Sequence, residues 1–261
     1  MQTITTIRAM QRFADGERRA GRTIGFVPTM GALHAGHAAL FAAAREAAET
    51  VVASLFVNPA QFSDNGDLAS YPRDLERDAA FAADRGVDVL FAPAADEMYP
   101  AGFASWVDPS GAADGLEGAH RPGHFRGVAT ICLKLFNIVR PELAFFGRKH
   151  AQQVAVLKQL VRDLNLELEI RVVETVRDGD GLAVSSRNLR LSPEERAVAR
   201  AIPRALATRD PARARAMLEE AGITPDYVEV ADLDVPTLAV AARVGSTRLI
   251  DNVPLGGGGT A

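Results

Sequence analysis

Val27-Pro28-Thr29-Met30-Gly31-Ala32-Leu33-His34-Ala35-Gly36-His37 decides the fold. It follows an apolar run, Thr23–Val27, and precedes an Ala-rich helical pattern from about Ala38 to Ala48, so it reads as a strand-to-helix turn. Gly31 and Gly36 permit tight turning and close approach to a ligand. His34 and His37 stand three apart, a spacing that puts both rings on one side of a helix start. Two imidazoles beside open backbone N–H groups suit a polyphosphate and the charge that develops on it. Two other readings compete: an ordinary turn with capping or solvated histidines, and a zinc site. The zinc reading lacks a clear third ligand and a His-Glu-x-x-His pattern.

Outward from this turn, apolar runs alternate with helical patterns. Val51–Val57, Val87–Phe91, Leu143–Phe146 and Leu168–Val173 read as strands; Leu75–Arg85, Arg126–Val139 and His150–Asn165 read as helices. That alternation predicts an α/β fold, a parallel sheet with helices on both faces, over residues 1–175. The texture changes after Glu174. Ser192-Pro193-Glu194-Glu195 is a helix start with a capping-box pattern, and Asp210-Pro211 opens a second helix running to about Ala221. Tyr227–Ala231, Leu238–Arg243 and Thr247–Ile250 read as short strands, the last two joined across Val244-Gly245-Ser246. Residues 176–261 are therefore expected to form a smaller α+β domain, placed as a lid, with a flexible tail at Gly256–Gly259.

The composition agrees with a globular protein. Of 261 residues, 48% are apolar and 24% charged, close to the averages for soluble domains. Lys and Arg total 29 against 33 Asp and Glu, a net charge of −4, so nothing in the bulk charge points to nucleic acid or an anionic membrane. A single cysteine, Cys132, in an apolar helix, excludes an internal disulfide framework and a Cys-based zinc site. The 22 uncharged residues Thr23–Ala44 are long enough for a membrane span, but Pro28, Gly31, His34, Gly36 and His37 lie among them. Strand, turn and helix explain the run better. Met1–Phe13 has no long apolar core, so no signal peptide is expected and the protein reads as cytoplasmic.

The turn resembles the HIGH signature of the nucleotidyltransferase superfamily that includes class I aminoacyl-tRNA synthetases. In the form Pro-Thr-Met-Gly-x-Leu-His-x-Gly-His it resembles the pantoate–β-alanine ligase family. Further segments match that family in order: Phe56-Val57-Asn58-Pro59-Ala60-Gln61-Phe62, Tyr71-Pro72-Arg73, Leu116-Glu117-Gly118, Arg121-Pro122-Gly123-His124-Phe125, Phe146-Gly147 with Lys149 and Gln152-Gln153, Asp180-Gly181-Leu182-Ala183 with Ser185-Ser186-Arg187-Asn188, and Arg248-Leu249-Ile250-Asp251-Asn252. The resemblance covers most of the chain. It implies a Rossmann-like domain and a two-step reaction. ATP adenylates pantoate with release of pyrophosphate, and the amine of β-alanine then attacks the acyl-adenylate to give pantothenate and AMP.

The resemblance also implies residue roles. His37, His34, Lys149 and Arg187 are the expected catalytic set, with His37 as proton donor. ATP would be held by Met30, Gly31, His34, Gly36, His37, Gly147, Arg148, Lys149, His150, Val176, Val184, Ser185, Ser186 and Arg187. Gln61, Gln153, Met30 and Asn58 would take pantoate or β-alanine, since a neutral amide both donates and accepts. Magnesium is implied by ATP, with Asp78 as a weak candidate contact, and the family suggests a homodimer through the larger domain.

The family usually reads Gly-Glu-Lys-Asp or Gly-Gln-Lys-Asp where this chain has Gly147-Arg148-Lys149-His150. A carboxylate accepts from two ribose hydroxyls, whereas one imidazole nitrogen accepts from one. ATP affinity is therefore expected either to fall or, through the added charge of Arg148, to favour the triphosphate. Two alternatives follow: a related nucleotidyltransferase or ligase acting on another small acid, and a nucleotide-binding paralogue with impaired turnover. No Lys-Met-Ser-Lys-Ser segment or anticodon-binding extension supports a tRNA synthetase.

Overall fold

Apolar runs flanked by turn residues form six strands: β1 (Gln2–Ile4), β2 (Ile24–Thr29), β3 (Thr50–Leu55), β4 (Val89–Phe91), β5 (Leu143–Gly147) and β6 (Glu169–Val173). In this computed structural model, which describes residues 1–62, 65–69 and 71–256, they lie in the order β1-β4-β3-β2-β5-β6. Beyond Gly256, the glycine tail lies outside the described residues. The pairs β1–β4, β4–β3, β3–β2 and β2–β5 are parallel. From β2 the chain builds β3 and β4 to one side, with β1 at that edge, and then β5 and β6 to the other, so the carboxyl end of β2 is the switch point where open α/β sheets bind ligands.

Strands covered on both faces read as largely apolar runs, and β2 and β3 bury nearly all of their residues, Thr29, Thr50 and Ser54 among them. On one face Val27, Val51, Ala53 and Leu90 pack with Leu40, Phe41 and Ala44 of helix Ala35–Ala47 and Ala82 of helix Leu75–Ala83. Helix His124–Val139 packs against β2 and against helix Ile7–Arg19, which buries Met10 and Ala14. The uncharged run Thr23–Ala44 thus divides into β2, a turn and a helix. No helix among the described residues is long and apolar enough to cross a membrane.

Chain contacts divide the molecule into two units: Met1–Phe146 with Val156–Val173, and Gly147–Ala155 with Glu174–Ala261. The division is thus not a single point near residue 175; Gly147–Ala155 groups with the C-terminal residues. The second unit holds an antiparallel sheet of β7 (Pro225–Asp232), β8 (Pro236–Val244) and β9 (Thr247–Pro254). Ile202, Leu206 and Leu218 from its helices pack on Leu238 and Val240. The expected Ser192–Glu195 capping box forms, and Gly245 takes φ +56° in the two-residue turn between β8 and β9. A Cβ on Gly245 would fall on the Glu195 carboxylate of that capping box, so this turn demands glycine twice over.

Gly127 brings helix His124–Val139 close against the turn Pro59–Gln61. A Cβ there would collide with the Ala60 carbonyl and lie 2.7 Å from the Gln61 backbone nitrogen. Gly127→Ala is expected to cost about 1–3 kcal/mol by overpacking. A thermal melt should show a midpoint several degrees lower, and an unchanged midpoint would contradict this packing.

Candidate functional site

The turn after β2 is held from below by one carboxylate. Gly31 and Ala32 take φ +88° and +51°, a left-handed pair that costs energy at the alanine. Asp78, at 1% exposure, offsets this cost: its Oδ2 accepts from Ala32 N at 2.8 Å and its Oδ1 from Leu33 N at 2.9 Å. A Cβ on Gly31 would lie 2.9 Å from the same Oδ2, so only glycine fits. Asp78, expected as a weak metal contact, therefore has each oxygen engaged by a backbone N–H, and its role here is to shape the loop.

That shape delivers the two histidines as a reciprocal cap. His34 is the N-cap of helix Ala35–Ala47; its Nδ1 accepts from Gly36 N at 3.1 Å, and His37 Nδ1 accepts from His34 N at 3.2 Å. The ring centroids are 4.2 Å apart. A neutral imidazole that accepts at Nδ1 carries its proton at Nε2, so each ring is a donor on that side. A Cβ on Gly36 would lie 2.9 Å from His34 Cε1, so any larger residue there would displace that ring.

Gln61 lies in the turn Pro59–Gln61 after β3. Its Nε2 donates to Met30 Sδ at 3.0 Å, and its Oε1 accepts from Asn58 Nδ2 at 3.0 Å. Asn58, expected to line the same pocket, is only 1% exposed. Its amide bonds Gly127 O, Ala60 N and the Tyr99 hydroxyl as well as Gln61, so it holds the Gln61 side chain in place. The Gln61 carbonyl meets His124 Nδ1 at 3.0 Å and accepts from Arg121 Nη2 at 3.3 Å.

The second unit gathers the expected cations and Gln153, which is half-buried on helix Ala151–Asp163. Lys149 donates from Nζ to Val184 O at 3.0 Å. Burial, opposed by Asp251 and assisted by Arg187 and Arg177, pushes its ammonium down to about 8. Both protons of Asn252 Nδ2 go to the carbonyls of Arg148 and Lys149, at 2.9 and 3.0 Å. Buried Asp251 binds Arg177 with two bonds of 2.7 and 3.0 Å. Val176 O accepts from Val184 N at 2.9 Å, fixing the segment that leads to the serines. Ser185 caps the turn Ser186–Arg190 through Arg187 N, and Arg187 Nη1 reaches Arg248 O at 3.4 Å. Arg148, whose extra charge is the departure from the family, pairs with the exposed Glu174 at 2.7 Å and lies 3.9 Å from Asp234 within the unit. His150 is exposed in the adjoining turn.

Sequence reasoning leaves Tyr99, Arg177 and the roles of His124, Asp251 and Asn252 unassigned. For the last three the signal lay in matched segments, with no spacing to say what each touches. Among the described residues no group of three or more His, Cys, Asp or Glu is placed to hold a metal. Asp78→Asn should free one loop amide, and hydrogen exchange at Ala32 and Leu33 should accelerate at least about tenfold. Unchanged protection would remove Asp78 as the support of this turn.

The family model described as Pantoate-beta-alanine ligase matches residues 2–254. The chain is 50% identical to the pantothenate synthetase of Heliobacterium modesticaldum, over 97% of this chain and 99% of that one. It is 49% identical to that of Moorella thermoacetica, over 98% and 99%. The crystal structure of pantothenate synthetase from Thermus thermophilus superposes with a TM-score of 0.89 at 43% identity, covering 97% of this chain and 99% of that one. Pantoate-β-alanine ligase from Francisella tularensis, complexed with "Beta-gamma ATP and Beta-alanine", gives 0.89 at 35% identity, covering 97% of each chain. A β2 turn capped by two histidines and matches over nearly the whole length lead to one assignment: the chain belongs to the pantoate–β-alanine ligase family.

Proposed function

We propose that His34 and His37 bind the phosphates of ATP through their Nε2 sides, that Lys149 and Arg187 supply cationic charge to the transferring group, and that Gln61 and Gln153 hold pantoate. The activity these residues serve is the family's: ATP-dependent condensation of pantoate with β-alanine through a pantoyl-adenylate, with release of pyrophosphate and AMP. The observation that carries the assignment of roles is the reciprocal histidine cap at the head of the sheet, in which each Nδ1 accepts a main-chain N–H.

The pantoate carboxylate is already an anion and attacks the α-phosphorus without a base. The chemical task is to stabilise charge on the phosphoryl group and the leaving pyrophosphate, for which fixed N–H donors and cations suffice. His37, which accepts a main-chain N–H at Nδ1 and so carries its proton at Nε2, would donate to the departing phosphate. Gln61 offers its Nε2 to a weak acceptor, Met30 Sδ, which a substrate hydroxyl or carboxylate oxygen would replace. Magnesium would come with ATP, held by phosphate oxygens and water, since the described residues form no carboxylate cage. The binding of ATP and β-alanine by the Francisella relative supports the same ligands here. The homodimer and the cytoplasmic setting rest on the family resemblance and on a single buried thiol, Cys132.

Pantoate-dependent exchange of labelled pyrophosphate into ATP tests the reading. His37→Ala should lower exchange about 10²–10³-fold. Equal exchange by parent and variant would remove His37 from the chemistry, and none by the parent would favour a nucleotide-binding paralogue. Lys149 gives a pH signature. Because its ammonium titrates near 8, the active, charged form is lost as pH rises through that value. kcat/KM for ATP should therefore fall on the alkaline side with a pKa of about 8. Lys149→Arg should move that limb beyond the assay range; a limb that persists in the variant belongs to another group.

A further inference from the structure

We propose that Tyr99 is a positioning residue for pantoate, acting through Asn58 to aim the Gln61 amide; this rests on the reading that Gln61 holds pantoate. The chain of contacts is continuous. The Tyr99 hydroxyl donates to Asn58 Oδ1 at 2.8 Å, and Asn58 Nδ2 donates to Gln61 Oε1 at 3.0 Å. Gln61 Nε2 is thereby left facing Met30 Sδ, the side at which a substrate oxygen would be met.

The orientation of each amide along this chain is forced. Asn58 Oδ1 accepts from Ala60 N at 3.3 Å as well as from Tyr99, and Nδ2 donates to Gly127 O at 3.1 Å as well as to Gln61. Rotating the amide by half a turn would oppose donor to donor and acceptor to acceptor at the two backbone groups. Gln61 must then present Oε1 to Asn58, so the substrate meets a donor. A site that offers a fixed donor favours an anionic or hydroxyl oxygen and penalises an analogue lacking it.

The Tyr99 ring is held so that its hydroxyl cannot wander. Phe103 meets it edge-on with centroids 5.0 Å apart, Trp106 stacks at 6.0 Å, Phe56 lies at 6.2 Å, and Lys134 Nζ sits 5.8 Å over the ring. Burial raises the phenol above its ordinary range, so it remains a donor throughout any working pH. Without that hydroxyl, Asn58 Oδ1 keeps one partner of two, and the amide that orients Gln61 is held less firmly.

Steady-state kinetics of Tyr99→Phe, Gln61→Ala and the double variant test the proposal, since Tyr99→Phe removes one oxygen and leaves the aromatic packing. Tyr99→Phe should raise KM for pantoate about threefold to tenfold and leave KM for ATP within about twofold. Added to Gln61→Ala, it should raise KM for pantoate no further, because its effect passes through that glutamine. If Tyr99→Phe lowers thermal stability while both KM values hold, or if the two effects on pantoate simply add, the positioning role is overturned. If Gln61→Ala itself leaves KM for pantoate unchanged, the assignment of Gln61 falls first. If Gln61→Ala weakens pantoate and Tyr99→Phe does not, the relay alone falls.

Discussion

Two backbone N–H groups on one buried carboxylate hold the site of the first unit in place. Asp78 reaches Ala32 and Leu33 from a helix 46 and 45 residues further along the chain. It stabilises a left-handed pair that the turn would otherwise resist. The pair sets the direction in which the chain leaves β2, and that direction makes His34 the first cap of helix Ala35–Ala47. An ionised acceptor bonding two amides is among the stronger neutral-donor arrangements available. The histidine geometry inherits its precision from this contact.

The second unit solves a different problem, that of keeping a lysine in place while removing much of its water. β9 does this with consecutive residues. Asp251 ties down Arg177 and opposes the loss of charge on Lys149, while Asn252 grips the carbonyls of the turn that carries it. Arg187 and Arg177 push the ammonium the other way. The result is a cation near its titration point, held by backbone contacts rather than by a paired carboxylate of its own.

Much of this was legible in the sequence, and the exceptions have physical causes. Strong local signals were sufficient for β2, β3 and the capping box at Ser192–Glu195, because continuous apolar runs and cap residues act over a few positions. β1 and helix Ile7–Arg19 carry no such signal, since Gln2–Ile4 buries a single side chain and the helix is polar overall. Helix Ala35–Ala47 starts three residues before the expected Ala38, because the cap is a histidine, which is outside the usual Ser, Thr, Asp and Asn set. Asp78 looked like any acid in a helix's first turn; its partners lie far off in sequence, where no spacing rule reaches. The motif of Asn58 points to a ligand, and its four simultaneous bonds, which no spacing rule reaches, show that it also holds Gln61.

The reciprocal cap also limits how protons travel. With Nδ1 of each ring engaged by a main-chain amide, proton exchange at either histidine runs through Nε2 alone. A proton arriving at Nδ1 would have to evict an amide hydrogen and loosen the start of the helix. Helix integrity and the polarity of proton delivery are therefore a single property of this turn, and neither can be altered without the other.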